Sequence, residues 1–118
     1  MLNQGHYLNQ LEKVIEELIE YKCENEDCGY KMVHINRCQK YIKHYLKHLS
    51  KLKTPTDQSI LKIVKKLVIK LNHLNASTDY ALIETDAREG IYEIIQASAL
   101  ACGLTNKNED ITEEWREW

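Results

Sequence analysis

No stretch of the chain is so apolar on one face as Ser59–Leu74, SILKIVKKLVIKLNHL. On a helix at 100° per residue, Ile60, Leu61, Ile63, Val64, Leu67, Val68, Leu71 and Leu74 fall in one arc. Lys62, Lys65, Lys66, Lys70 and His73 fall in the other. Each large aliphatic side chain contributes roughly 1.5–3 kcal/mol when fully buried, so this stripe predicts the most buried helix of the fold. A first helix is expected over about His6 to Lys22, with Tyr7, Leu8, Leu11, Val14, Ile15, Leu18, Ile19 and Tyr21 inward and Glu12, Glu16, Glu17 and Glu20 outward. Cys23 to Gly29 reads as the connecting turn, with Asp27 as the cap of a second helix over about Cys28 to Lys53. There Ile35, Cys38, Ile42, Tyr45, Leu49 and Leu52 recur at alternating spacings of three and four, as in a bundle seam.

Thr54-Pro55-Thr56-Asp57 punctuates the chain, with Thr54 placed as N-cap, Pro55 at the first helical position and Asp57 two positions later. So short a connection makes the second and third helices an antiparallel hairpin. The third helix is expected to end near Asn75, followed by a loop and a brief apolar run, Tyr80 to Ile83. Thr85 then caps a fourth helix to Cys102, with Gly103 as its stop and Ala87, Ile91, Ile94, Ile95, Ser98, Ala101 and Cys102 inward. Asp110 and Glu113 have capping-box spacing ahead of a short fifth helix in which Ile111, Trp115 and Trp118 share a side. The expected fold is all-α: an antiparallel four-helix bundle with a short C-terminal fifth helix, one domain over residues 1–118. Ile69 and Leu100 break their helices' patterns, and burial by the tail or a neighbouring helix is expected ahead of a role as exposed anchors.

Composition changes this picture little, but charge changes it considerably. The 118 residues carry a formal net charge of −2, yet the signs are segregated along the chain. Residues 1–27 hold two lysines against seven acids, and residues 79–118 hold three basic residues against ten acids. Residues 28–78 hold eleven basic residues and one acid, Asp57. Acidic outer helices lying beside basic inner ones is the simpler expectation. A basic face left open to an acidic partner is the alternative.

MLNQGHYLNQ lacks the basic-then-apolar pattern of a secretory leader, and no apolar run is long enough to span a bilayer. A cytoplasmic protein without a membrane role is therefore expected, its four cysteines free thiols or metal ligands. Cys23, Cys28, His34 and Cys38 make the one metal-like cluster, spaced C-x4-C-x5-H-x3-C. His34 and Cys38 lie one turn apart, as two ligands of a zinc ion would. The looser spacing and the seam position of Cys38 favour ordinary thiols, so no metal or other cofactor is expected. His44 and His48 lie one turn apart on the polar face without a third ligand, and read as solvated side chains. No nucleophile elbow, Walker loop or dinucleotide-binding glycine pattern occurs. Glu89 and Glu93 form a carboxylate pair with no neighbouring base, so an enzyme is not expected.

Arg37, Lys40, Lys43, Lys47 and Lys51, with Tyr41 and Tyr45 among them, form the candidate face for nucleic acid. Leu82–Glu89, LIETDARE, followed by an apolar helix, resembles a segment of short bacterial helical proteins, over about a quarter of the chain. By size and charge the chain is also similar to bacterial immunity proteins, which neutralise toxins by occlusion and not by catalysis. That resemblance implies a protein partner met through Glu84, Asp86, Arg88, Glu89 and Glu93, with Ile69, Trp115 and Trp118 as apolar anchors. The first reading is thus a protein-binding protein, with a toxin as the most concrete partner. The alternatives are a nucleic-acid-binding module and a small zinc protein. A monomer is expected ahead of a homodimer in which the acidic face of one copy meets the basic face of another.

Overall fold

The computed structural model describes residues 2–105 and 109–118. The chain is all-helical, with four helices among these residues: α1 (Gln4–Glu24), α2 (Met32–Ser50), α3 (Asp57–Ser77) and α4 (Thr85–Cys102). One core cluster gathers the inward stripes of all four. The Tyr7 hydroxyl reaches the Ala97 carbonyl and Val14 packs on Gly90, so α1 and α4 run in opposite directions. Tyr45 reaches Ser98 and Leu49 meets Cys102, so α2 and α4 run in the same direction. Lys70 lies over Tyr41 while Ile63 lines a groove with His48, so α2 and α3 are antiparallel neighbours. α1 and α3 do not pack on each other.

α3 buries more side chains than any other helix, among them Ile60, Val64, Leu67, Val68 and Leu71, as its apolar stripe requires. Its start differs from expectation. Thr56, not Thr54, is the cap: Ser59 N–H donates to Thr56 Oγ1 at 3.1 Å and Thr56 N–H donates to Ser59 Oγ at 2.9 Å. That reciprocal pair satisfies two helix-end donors, which a cap at Thr54 with Asp57 opposite does not achieve here. Asp57 is engaged elsewhere, accepting from the Thr105 backbone at 3.0 Å and from the Thr105 hydroxyl.

The start of α2 is also later than expected, at Met32, with Lys31 and not Asp27 as N-cap. The cause is Tyr30, a core residue whose hydroxyl donates to the Leu18 carbonyl at 2.9 Å. Seating that ring takes the chain out of helical geometry, and Gly29 makes the bend at φ +91°, where an added Cβ would stand 2.7 Å from Ala81 Cβ. The end of α2 comes at Ser50, not Lys53. Tyr21, assigned inward from its spacing, is instead 52% exposed.

α3 runs to Ser77, past the expected stop. Buried Asn75 and Thr78 then organise the chain beyond it. Asn75 Oδ1 accepts from Ile83 N–H at 2.9 Å, its carbonyl accepts from Tyr80 N–H at 2.8 Å, and Thr78 Oγ1 accepts from Leu82 N–H at 3.1 Å. This clamp holds Asp79 and Tyr80 in the left-handed region, at φ 55° and 66°, and drives Leu82 and Ile83 into the core. Glu84, not Thr85, occupies the N-cap of α4; Gly103, at φ 118°, ends it as expected. On the inward face of α4, Ala99 takes the place expected of Ala101, which is exposed.

No fifth helix forms among the described residues. Residues 111–115 make hydrogen-bonded turns, with Arg116 N–H donating to the Thr112 carbonyl at 2.8 Å. Helix propagation stops because Asn72 takes the next peptide groups: its amide donates to the Trp115 carbonyl at 2.7 Å and accepts from Glu117 N–H at 3.0 Å. Gln96 holds the start of the same segment through the Glu109 carbonyl and Ile111 N–H. The tail thereby lies along α3 and α4, its Trp115 and Trp118 half-buried against the core.

Candidate functional site

Gly90 decides how α1 and α4 meet. A Cβ there would stand 2.6 Å from Val14 Cγ2, so the missing side chain lets the two backbones close up. The close approach leaves a groove on the outer side, lined by Gln10, Lys13, Glu17, Asp86, Glu89 and Glu93. At the C-terminal end of α1 it adjoins a smaller cleft of about 170 Å³, with Val14, Glu17 and Asp86 on both walls. Leu18, Tyr30, Ala81 and Leu82 give this cleft apolar walls, and Glu17, Tyr21, Glu84 and Asp86 also line it. Asp86 lies in the first turn of α4, where the positive end of the helix dipole favours a carboxylate.

Four of the residues expected to meet a partner, Glu84, Asp86, Glu89 and Glu93, therefore come together on these two depressions. Arg88 is exposed and lines neither. Glu17 and Tyr21 join them from α1 and were missed. Glu17 lies on the outward acidic face that the sequence predicts for α1, and the Gly90 contact, which sets α1 against α4, brings it to the groove. Ile69 is 37% exposed on α3, so the expected burial by tail or neighbour does not occur. Leu100 is half-buried against the core. Trp115 has Lys65 Nζ 6.0 Å from its ring centre, and Trp118 has Arg116 at 5.4 Å.

The basic residues form a second region. Arg37, Lys40, Lys43 and Lys47 are exposed along α2, with Lys51 just past its end. Between α2 and α3 lies a depression lined by Tyr41, His44, Tyr45, His48, Ile63, Lys66, Leu67 and Lys70. Lys66 and Lys70 lie outside the expected nucleic-acid face, which the periodicity of α2 alone defines. The signal was nonetheless present: His44/His48 and Lys66/Lys70 are both one-turn pairs on the two arms of an antiparallel hairpin.

No family model, curated protein or solved structure matches this chain.

The metal-like cluster is dispersed. Cys23 is exposed, whereas Cys38 is fully buried and its thiol is pushed up to about 12 by that burial. His34 Nδ1 accepts from Lys31 N–H at 2.9 Å as part of the α2 start, and Cys28 Sγ donates to the Tyr30 carbonyl at 3.2 Å. Among the described residues no three His, Cys, Asp or Glu side chains gather as a metal-binding group. Tyr45, between α2 and α4, donates to the Ile95 carbonyl at 3.1 Å and shares a 2.8 Å hydrogen bond with Ser98. Its hydroxyl is shifted upward by burial, as is that of Tyr30, which reaches about 12. Both are neutral core groups that tie elements together. No helix among the described residues is long and apolar enough to cross a membrane.

Proposed function

We propose that this chain is a protein-binding protein of the immunity type, an antiparallel four-helix bundle that neutralises a partner by occluding it and performs no catalysis. The observation that carries this reading is the meeting of Glu17 with Glu84, Asp86, Glu89 and Glu93 on adjoining depressions between α1 and α4. Lys13 is the one basic residue along those walls. Tyr21, 52% exposed beside them, supplies the amphipathic aromatic surface that binding interfaces favour. Carboxylates around an apolar floor suit a basic protein surface, because complementary potential steers encounter and the floor retains the complex. The resemblance of LIETDARE to short bacterial helical proteins points the same way, since four of the residues concerned belong to that segment or the turn after it. A toxin acting in the cytoplasm of the producing cell is the partner that fits such a protein.

Affinity purification from bacterial cells tests the proposal. One stoichiometric basic protein is expected to co-purify, and Glu17→Lys/Glu89→Lys is expected to weaken it by about tenfold or more. Lys40→Glu/Lys43→Glu on the opposite side should leave the complex intact. Retention of nucleic acid in place of a protein, lost with the α2 substitutions, would refute the reading.

A further inference from the structure

The depression between α2 and α3 belongs to neither the acidic groove nor the core. His44 and His48 come from one wall and Lys66 and Lys70 from the other, the antiparallel pairing of the helices setting Lys70 over Tyr41 and all four on one depression. Ile63 and Leu67 form apolar lining, and no acidic residue is among the lining residues. Lys70 Nζ is held 5.4 Å from the centre of the Tyr41 ring, a cation–aromatic contact that orders a side chain otherwise free in solvent. Among the described residues none of these four basic side chains is in an ion pair. Lys66 and Lys70 are like charges one turn apart, an arrangement that weakens an isolated helix and is relieved by an anion set between them. At about 70 Å³ the depression is small, suited to a single compact anionic group and not to a larger ligand.

We propose that this depression is a binding site for a phosphate group carried on a small molecule, with Lys66 and Lys70 as charged donors and His44 and His48 as hydrogen-bond donors opposite. The site differs from a diffuse polyanion surface in its demand for both helices. A surface reading nucleic acid by charge alone draws equally on Arg37, Lys40, Lys43 and Lys47, which stand exposed along α2 outside the depression. A phosphate seated between α2 and α3 draws on Lys66 and Lys70 and perturbs the two histidines directly. The proposal does not rest on the partner reading above, because the two sites share no residue.

Inorganic pyrophosphate, titrated into the protein at low salt and followed by the ring-proton resonances of the histidines, is the test. Saturable shifts of His44 and His48 are expected, with His6 and His73 unmoved. Lys66→Met and Lys70→Met should each weaken binding by about tenfold, as loss of one charge-assisted hydrogen bond does. Lys40→Met and Lys43→Met should leave it within about twofold. Equal losses across all four variants, or shifts that never saturate, would overturn the site in favour of non-specific anion attraction. Far-UV circular dichroism on each lysine variant separates lost binding from lost fold, since Lys66 and Lys70 are exposed.

Discussion

Single residues set the geometry here where they remove or spend a group that the helical pattern does not reveal. Gly90 faces Val14 of α1, and a methyl group there would stand 2.6 Å from Val14 Cγ2. Alanine in place of glycine within a helix otherwise gains about 1 kcal/mol in propensity, whereas overpacking costs roughly 1–3 kcal/mol. Gly90→Ala is therefore expected to lower the urea midpoint, and Gly90→Ala/Val14→Ala to be less destabilised than the sum of the two single changes. Additive losses in that cycle would disprove the close approach. Asn75 shows a polar group used in the same decisive way. Its side-chain carbonyl is the partner of the buried Ile83 N–H, so Asn75→Ala should cost about 1–3 kcal/mol and expose residues 79–83 to rapid amide exchange. Wild-type exchange rates at Leu82 and Ile83 in that variant would contradict the clamp. Neither role was visible in sequence. Gly90 lay inside a good helical pattern, and Asn75 occupied a position where an exposed helix end was equally natural.

Elements were legible where periodicity alone decides, and less so where a neighbour decides. The inward stripes of α1, α2 and α3 largely match the buried residues, because their apolar spacing follows the helical repeat throughout. Ends proved harder: Asp27, Thr54 and Thr85 were all chemically suitable caps that the structure does not use. The fifth helix failed for a related reason, since Asn72 on α3 competes for the peptide groups that a further helical turn needs. Half of the candidate site was readable, as Glu84, Asp86, Glu89 and Glu93 lie within one stretch of chain. Glu17 and the Lys66/Lys70 pair needed the helix neighbours to be known. Asp57 illustrates how such cross-element contacts respond to pH. The Thr105 hydroxyl, then its backbone N–H, hold the Asp57 carboxyl below its ordinary value. A carboxyl lowered in the folded state stabilises above its unfolded pKa, about 3.9, and loses that contribution as pH falls through the folded value. Thr105→Val should thus be less stable than wild type at pH 7 and indistinguishable from it in strong acid, with the Asp57 carboxyl titrating at higher pH in the variant. An unchanged Asp57 titration would show that the hydroxyl has no part in it.

At the scale of the whole molecule, the helices sort by sign of charge. α1 and α4 are neighbours and carry eight acids against three basic residues; α2 and α3 are neighbours and carry eight lysines or arginines against one acid. Acidic outer helices do lie beside basic inner ones, α1 against α2 and α4 against α3, but the neighbours do not neutralise one another in ion pairs. Among the described residues no lysine of α2 or α3 reaches a carboxylate within bridging distance. The four helices therefore present an acidic side and a basic side, with the acidic tail beside Lys62 and Lys65 of α3 and away from Lys66 and Lys70, and each side offers an exposed apolar group: Tyr21 beside the acidic groove and Ile69 on α3. Two such sides attract one another between copies, and the contact is head-to-tail, because the surfaces that meet are different. Exposed ion pairs contribute only about 0–1 kcal/mol each and are screened beyond about 8 Å at physiological salt. Association is accordingly expected in sedimentation at about 10 mM salt and not at about 150 mM. Glu89→Gln/Glu93→Gln removes one surface and Lys66→Met/Lys70→Met the other, so each variant alone should sediment as a monomer. Mixed together, they retain one intact surface of each kind and should form a one-to-one pair that cannot extend. Larger species in that mixture, or pairs formed by either variant alone, would mean a two-fold symmetric contact elsewhere; a monomer for wild type at low salt would mean that the charge separation serves other partners only. Pyrophosphate adds a further discrimination, since a phosphate seated against Lys66 and Lys70 occupies the same basic surface and should dissociate the wild-type oligomer at concentrations where an equal ionic strength of sodium chloride does not.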